Sequence, residues 1–429
     1  MTNATPATHK AERRPRCPHC RKQFRTSSTK AIFCTRICKD RATAAKKRTA
    51  YVAKATDSAF MQTLAFEASR AGTYEIFTFH TPESLAELYG LYVLKQRANR
   101  FGDAKDYELS HIAPSQGHDI VGLYHPQNLI VAPKAMNRSH GNQHFGHGLS
   151  IDRNKLKPRY MIEKGTPQAD IIKGIIQFIG PDVIAQATKL AGIQPRRRVA
   201  MLSWLREHLN PHNPQHRDWL DNLDTMQTKA LTALKAVVQG KEASDFKITT
   251  RAYTQLEVLL LGLEQQAQYR PELIEVHVTV YAALAAYITA NFSSDWLWDR
   301  SIAEVVRFMP DTIMTEPELQ ALFDVLHGKD VDAIRPVLEA FAERHSGAVE
   351  RIPPYKPIVF KAQRPARVVA SRERSEATVQ SPVSVAAHAR SFADCLDGEG
   401  QDDVPAFLPL SELYQVAPLA NQVDPLPWD

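Results

Sequence analysis

Five cysteines in 429 residues are too few for a disulfide-stapled secreted fold. Four of them lie between Cys17 and Cys38, and the fifth, Cys395, stands alone far down the chain. Long apolar runs are also missing. The most apolar stretch, Val276 to Phe292, is broken by His277, Thr279, Tyr281, Tyr287 and Thr289. At about 17 residues it sits at the lower limit for a membrane span, so a buried helix fits better. The first sixteen residues are polar and basic without an apolar core, which argues against a secretory leader. No internal repeat is present. These absences lead us to expect a soluble, cytoplasmic protein with no membrane partner.

Acids are scarce at one end and bases at the other. Residues 1–54 hold fifteen Lys or Arg and only two acids, Glu12 and Asp40. Residues 397–429 hold seven acids and no Lys or Arg. The overall charge of +6 averages over that gradient. A basic head points to a polyanion partner, DNA being the simplest.

The head contains CPHCRKQFRTSSTKAIFCTRIC. Cys17 and Cys20 form a CxxC knuckle, and Cys34 and Cys38 a CxxxC pair after a spacer of 13 residues. Four thiolates at this spacing suit a tetrahedral structural Zn²⁺, which supplies most of the folding free energy of so small a unit. A redox CxxC is the rival reading, but it does not require the second pair. Arg21, Lys22 and Arg25 in the finger are placed as phosphate contacts. The Ala-rich segment Lys39 to Lys54 reads as a helix. Its Lys46, Lys47 and Arg48 are placed on nucleic acid rather than on a merely solvated face.

The densest chemistry lies in YELSHIAPSQGHDIVGLYHPQNLIVAPKAMNRSHGNQH, Tyr107 to His144. Tyr107 to Ile112 reads as a strand, with Glu108 and Ser110 on one face and Leu109 and His111 on the other. Asn128 to Val131 reads as a second strand. Pro133 helps to start a helix that carries Asn137, His140 and His144 on one face. The intervening loop, Ala113 to His125, is long for a hairpin, and His118 and Asp119 within it read as solvated residues with metal or DNA contact as the alternative. A His on a hairpin facing Asn and His on a helix is the arrangement that a one-metal phosphodiesterase needs.

This stretch resembles the HNH (ββα-metal) endonucleases. The resemblance covers about forty residues and has three anchors in order, His111, Asn128 and Asn137. It implies that His111 is the general base, that Asn128 orients it through backbone contacts, and that Asn137 is a metal ligand. Ser110 occupies the place where the family usually has a second metal ligand, Asp or His. His140 is a further candidate ligand, and Lys134 and Arg138 are candidates to meet phosphates or the charged leaving group. The nitrogen-rich donor set admits Zn²⁺, Mn²⁺ or Ni²⁺ as well as Mg²⁺. A zinc cluster, a basic helix and then these anchors is also the order found in phage NinG-type recombination endonucleases.

Between these landmarks, Tyr74 to Phe79 alternates like a strand, and Thr81-Pro82 opens a helix running to about Asn99. From Lys164 to Arg344 the periodicity is helical, with helices expected at 167–178, 181–191, 198–208, 216–239, 250–268, 271–291, 299–307, 315–327 and 330–344. After Gly347 the composition turns Pro-rich, then acidic, with apolar inserts suited to a protein partner.

The expected fold is mainly α with a small α+β part. Its divisions are a basic arm (1–15), a four-cysteine zinc finger (16–40), a basic helical linker (41–72), a ββα-metal domain (73–150), an all-α domain (151–345) and a disordered tail (346–429). The expected function is metal-dependent hydrolysis of DNA by an enzyme of phage or mobile-element type. Its rival is a non-catalytic zinc-containing DNA-binding or regulatory protein. RNA is an alternative substrate.

Overall fold

The computed structural model describes residues 13–241, 251–291, 306, 309 and 312–346. The acidic tail and nearly all of the helix expected at 299–307 lie outside the described residues, as do the first twelve residues of the arm.

The described chain is mainly helical, with two small antiparallel sheets. Helix α1 (Arg36–Thr56) starts where the Thr35 hydroxyl accepts the Cys38 N–H. Helix α2 (Ala59–Ala71) is capped by Ser58 and stops at Gly72, whose φ of 75° suits a residue without Cβ. Helix α3 (Pro82–Ala98) opens with a capping box between Thr81 and Ser84 and with proline in its first turn. The segment at Tyr74, expected as a strand, is instead a 3-10 helix, Tyr74–Phe77. The Thr73 side chain bonds the Glu75 N–H, and buried Glu75 in turn accepts the Lys157 N–H. These local and tertiary bonds occupy the groups that a strand would pair outward.

Strand β1 (Tyr107–His111) pairs with β3 (Leu129–Pro133), with Leu109 opposite Val131 and Ser110 opposite Ile130. The loop between them contains β2 (Ile120–Gly122), which pairs with β4 (Ser150–Asp152). Helix α4 (Lys134–His140) follows β3 directly and ends at Gly141, whose φ is 61°. It is shorter than expected, so Asn137 and His140 lie on it and His144 does not.

Helices α5 (Gln168–Ile179), α6 (Pro181–Ala191) and α7 (Arg197–His208) come next. The single helix expected over 216–239 is two, α8 (Pro214–Asn222) and α9 (Thr228–Gln239). Arg198 bonds the Met226 and Asp224 carbonyls in the break between them, so that cation serves the fold. Helices α10 (Gln255–Gln266), α11 (Glu272–Asn291), α12 (Glu316–Leu326) and α13 (Val331–Ser346) complete the described chain.

The β1–β3 hairpin is shared by two cores because its side chains alternate. Tyr107, Leu129 and Val131 join α2, α3, α5 and α6 on one side. Ile112, Ile130 and Ala132 join α10 to α13 on the other. Ile112 and Ile130 are fully buried, and burial of each contributes roughly 2 kcal/mol. Polar ties reinforce the placement. Gln266 on α10 donates to the carbonyls of Pro126 and Leu129, and Asn99 at the end of α3 bonds the backbone of Asp106 and Tyr107. A separate smaller core, Met201, Leu205, Leu231 and neighbours, closes α7 to α9.

Candidate metal centres and the hairpin site

The finger begins earlier than its cysteines. Arg13 and Thr26 exchange backbone hydrogen bonds, so the last residues assigned to the arm belong to the folded unit. The first knuckle closes through Arg21 N–H to the Cys17 carbonyl, with Arg21 in the left-handed region at φ 60°. The second pair sits at the start of α1. The four sulfurs of Cys17, Cys20, Cys34 and Cys38 lie within 4.8 Å of one another. Cys20 and Cys34 are 3.5 Å apart and Cys34 and Cys38 3.4 Å. Tetrahedral Zn–S bonds of about 2.3 Å set sulfurs about 3.8 Å apart, so the cluster fits a zinc-sized ion after a slight expansion. Contacts with Cys38 and Cys20 push the Cys34 thiol up to about 12. Backbone N–H groups pull Cys17 down to about 6 against the effect of burial.

Around the finger, Arg21, Lys22, Arg25, Lys46 and Lys47 are exposed. Arg48 differs, because its guanidinium meets Asp182 on α6 at 2.9 Å. It clamps α1 onto α6 and offers less charge outward than its two neighbours.

Asn128 is completely buried at the entry to β3. Its Oδ1 accepts the Ala113 N–H at 2.7 Å, and its Nδ2 donates to the Ala113 carbonyl at 3.1 Å and the Leu123 carbonyl at 2.8 Å. One carboxamide thus holds both arms of the long loop, two residues past His111. Two glycines close around it. A Cβ at Gly122 would stand 1.9 Å from the Ala113 oxygen, and one at Gly148 would stand 2.2 Å from Asn128 Oδ1. Only glycine allows that approach.

On the α4 side, Ser110 Oγ is 2.6 Å from Asn137 Oδ1 and 2.7 Å from His327 Nε2. Asn137 Nδ2 donates to Glu108 at 3.0 Å, and the same carboxylate draws Lys134 and Arg138 to 3.8 and 3.7 Å. These two cations are therefore partly neutralised by Glu108. His140 turns toward α12, its ring 4.4 Å from that of His327, and its Nε2 is buried with no hydrogen-bond partner among the described residues. Burial lowers its pKa. His144 bonds the His147 carbonyl, and His118 and Asp119 pair with each other in solvent.

His111 ends β1 on the side opposite Ser110. Its ring lies 5.8 Å from that of Tyr124, and burial, with Arg70 and His327 nearby, pushes its pKa down to about 3. It is a neutral imidazole at ordinary pH. The structure thus brings Ser110 and Asn137 into direct contact, ties Asn128 to the backbone beyond His111, and sets His111 on the other face of the same strand.

Two neighbours were not legible in the sequence. Arg70, from α2, sits near enough to His111 to depress its protonation. His327, the residue that ends α12, is fully buried against Ser110 although 217 positions separate them. No local pattern marks either residue.

Ser110 carries one hydroxyl hydrogen and has two atoms at bonding distance. The three atoms are oxygen and nitrogen donors of the kind a divalent ion takes. Comparison of the chain with protein families, curated proteins and solved structures returns no match. Among the described residues no helix is long and apolar enough to cross a membrane.

Proposed function

We propose that the β1–β3–α4 unit is an HNH-type, metal-dependent endonuclease site acting on DNA. One observation carries the reading: the Asn128 carboxamide grips the loop beside His111 while α4 delivers Asn137 to Ser110 across the hairpin. These are the same three anchors on which the family resemblance rests.

In this reading Asn137 and Ser110 hold the divalent ion. The ion's chemistry is charge stabilisation at the scissile phosphate and the leaving oxygen. His111 takes the proton of the attacking water. A ring with a pKa near 3 is a poor base by itself. Burial is the main cause of that low value, and in this reading an anionic phosphate beside the ring would favour its protonated form and so raise its proton affinity. Asn128 fixes the backbone from which His111 projects. Arg70 is bonded to Glu67 at 2.6 Å, and in this reading a phosphate oxygen would compete with that carboxylate for its guanidinium. The exposed cations Arg21, Lys22, Arg25, Lys46 and Lys47 supply non-specific attraction to the polyanion. Zn²⁺ in the finger is structural.

A second reading has its own support. Ser110 is 1% exposed and His327 is buried behind it. An ion enclosed there would staple α12 to the hairpin, leaving a zinc-containing DNA-binding protein without hydrolytic activity. Incubation of the purified protein with supercoiled plasmid, with Mg²⁺, Mn²⁺ or Ni²⁺ and with chelator, separates the two. Metal-dependent nicking supports the enzyme. DNA retention without nicking under every metal supports the binding protein. A parallel RNA digest decides the polynucleotide.

A further inference from the structure

We propose that His327 of α12 is a third protein ligand to a transition-metal ion at Ser110 and Asn137, so that the helical part of the chain completes the hairpin site. This rests on the nuclease reading of Ser110 and Asn137, and it adds a ligand that the hairpin alone lacks.

His327 Nδ1 lies 2.8 Å from the Phe323 carbonyl, which can only accept. Nδ1 therefore carries the hydrogen, and Nε2 presents a lone pair to Ser110. The Asn137 amide is fixed in the same way. Its nitrogen faces the Glu108 carboxylate, so its oxygen faces Ser110. Three lone-pair atoms, Ser110 Oγ, Asn137 Oδ1 and His327 Nε2, thus meet around one hydroxyl hydrogen. Whichever way that hydrogen points, one of the two acceptors goes without it: the buried His327 nitrogen or the half-buried Asn137 oxygen. A divalent cation replaces the missing donor. A proton on His327 Nε2 is the other remedy, and the metal-binding test below separates the two.

Three further features fit a ligand role. A histidine whose distal nitrogen is held by a backbone carbonyl has the tautomer and orientation of a metal ligand. The end of α12 is clamped: the buried Arg270 guanidinium donates to the Val325 carbonyl and to the Leu326 carbonyl at 2.7 Å, just before His327. Next to His327, His140 Nε2 is a second buried nitrogen without a partner among the described residues, in a ring that is 8% exposed. Imidazole donors favour Mn²⁺, Ni²⁺ or Zn²⁺ over Mg²⁺. The ligand that the resemblance expects at position 110 is replaced from a different part of the chain.

The test uses full-length protein with its finger loaded with zinc, and Mn²⁺ as the probe. Binding is read from loss of the free-ion electron paramagnetic resonance signal, and bound imidazole from nitrogen coupling in the pulsed spectrum. One tight Mn²⁺ per chain with imidazole coupling is expected in the wild type. His327→Phe keeps the ring stacked between Phe323 and His140. It should lose the coupling and weaken Mn²⁺ by at least about 10-fold, while His144→Ala changes neither. Weakening by Asn137→Ala with no effect of His327→Phe would overturn the His327 assignment and leave the hairpin site standing. Bound Mn²⁺ without nitrogen coupling in the wild type overturns it regardless of how the variants fold. Tight, His327-dependent binding without DNA cleavage under any metal would instead refute the nuclease reading alone. No Mn²⁺ bound to the wild type would remove both.

Discussion

Replacing Asn128 by alanine strikes the most concentrated set of hydrogen bonds near the candidate site. The side chain is fully buried and makes three bonds, one accepted from the Ala113 N–H and two donated to the Ala113 and Leu123 carbonyls. Alanine leaves all three backbone groups unpaired in a space that Gly122 and Gly148 keep tight. Each unsatisfied buried group costs about 1–3 kcal/mol. Because the groups are neighbours their penalties do not simply add, and roughly 3–5 kcal/mol is expected in total. That is a large part of the roughly 5–15 kcal/mol typical of a domain. The most direct reporter is exchange of the Ala113 amide hydrogen. Loss of about 3 kcal/mol opens it roughly 100-fold more often, and the urea midpoint should fall in step. An Asn128→Ala protein whose Ala113 amide stays protected, with an unmoved midpoint, would show that the clasp is decorative. It would also remove the reason for giving Asn128 a positioning role toward His111.

Three further perturbations test separate parts of the account. Gly122→Ala places a methyl group on the Ala113 carbonyl, so it should disorder the β2 end of the loop and reproduce the Asn128→Ala exchange pattern. Glu87 is buried with Tyr269 donating to it, and burial raises its pKa to about 7 from an ordinary 4.5. The folded state binds that proton more tightly than the unfolded one. The stabilisation is therefore full below pH 4.5 and is lost as pH rises through 7, by on the order of 3 kcal/mol. Glu87→Gln should flatten thermal stability between those limits, and an unchanged pH slope would count against the assignment. Cys34→Ser should lower bound zinc by one ion per chain by elemental analysis and unfold the finger while sparing the hairpin core. Full zinc retention would contradict four-cysteine ligation.

What could be read from the sequence follows the range of the forces involved. The cysteine spacing, the Thr81 cap and the alternation of Glu108 and Ser110 against Leu109 and His111 are local, and the structure displays each. The start of α4 is local too, but its end is not where periodicity placed it. Gly141 takes a positive φ and stops the helix, so His144 leaves the face shared by Asn137 and His140. The Tyr74 segment alternates like a strand, yet the Thr73 and Glu75 bonds wind it into a 3-10 turn instead. His327, Arg70 and the Arg48–Asp182 clamp are encounters between distant segments. Nothing in their own neighbourhoods announces them.

The proposed role of His111 as the base of a phosphodiester-cleaving site is tested by cleavage itself. Cleavage of a labelled duplex should be compared in wild type and His111→Ala at matched DNA occupancy, with Mn²⁺ saturating and circular dichroism confirming the fold. Metal-dependent cleavage by the wild type and a loss of at least about 100-fold in the variant are expected, with binding unchanged. Equal cleavage by the two proteins, or none by the wild type under any divalent metal, would contradict it.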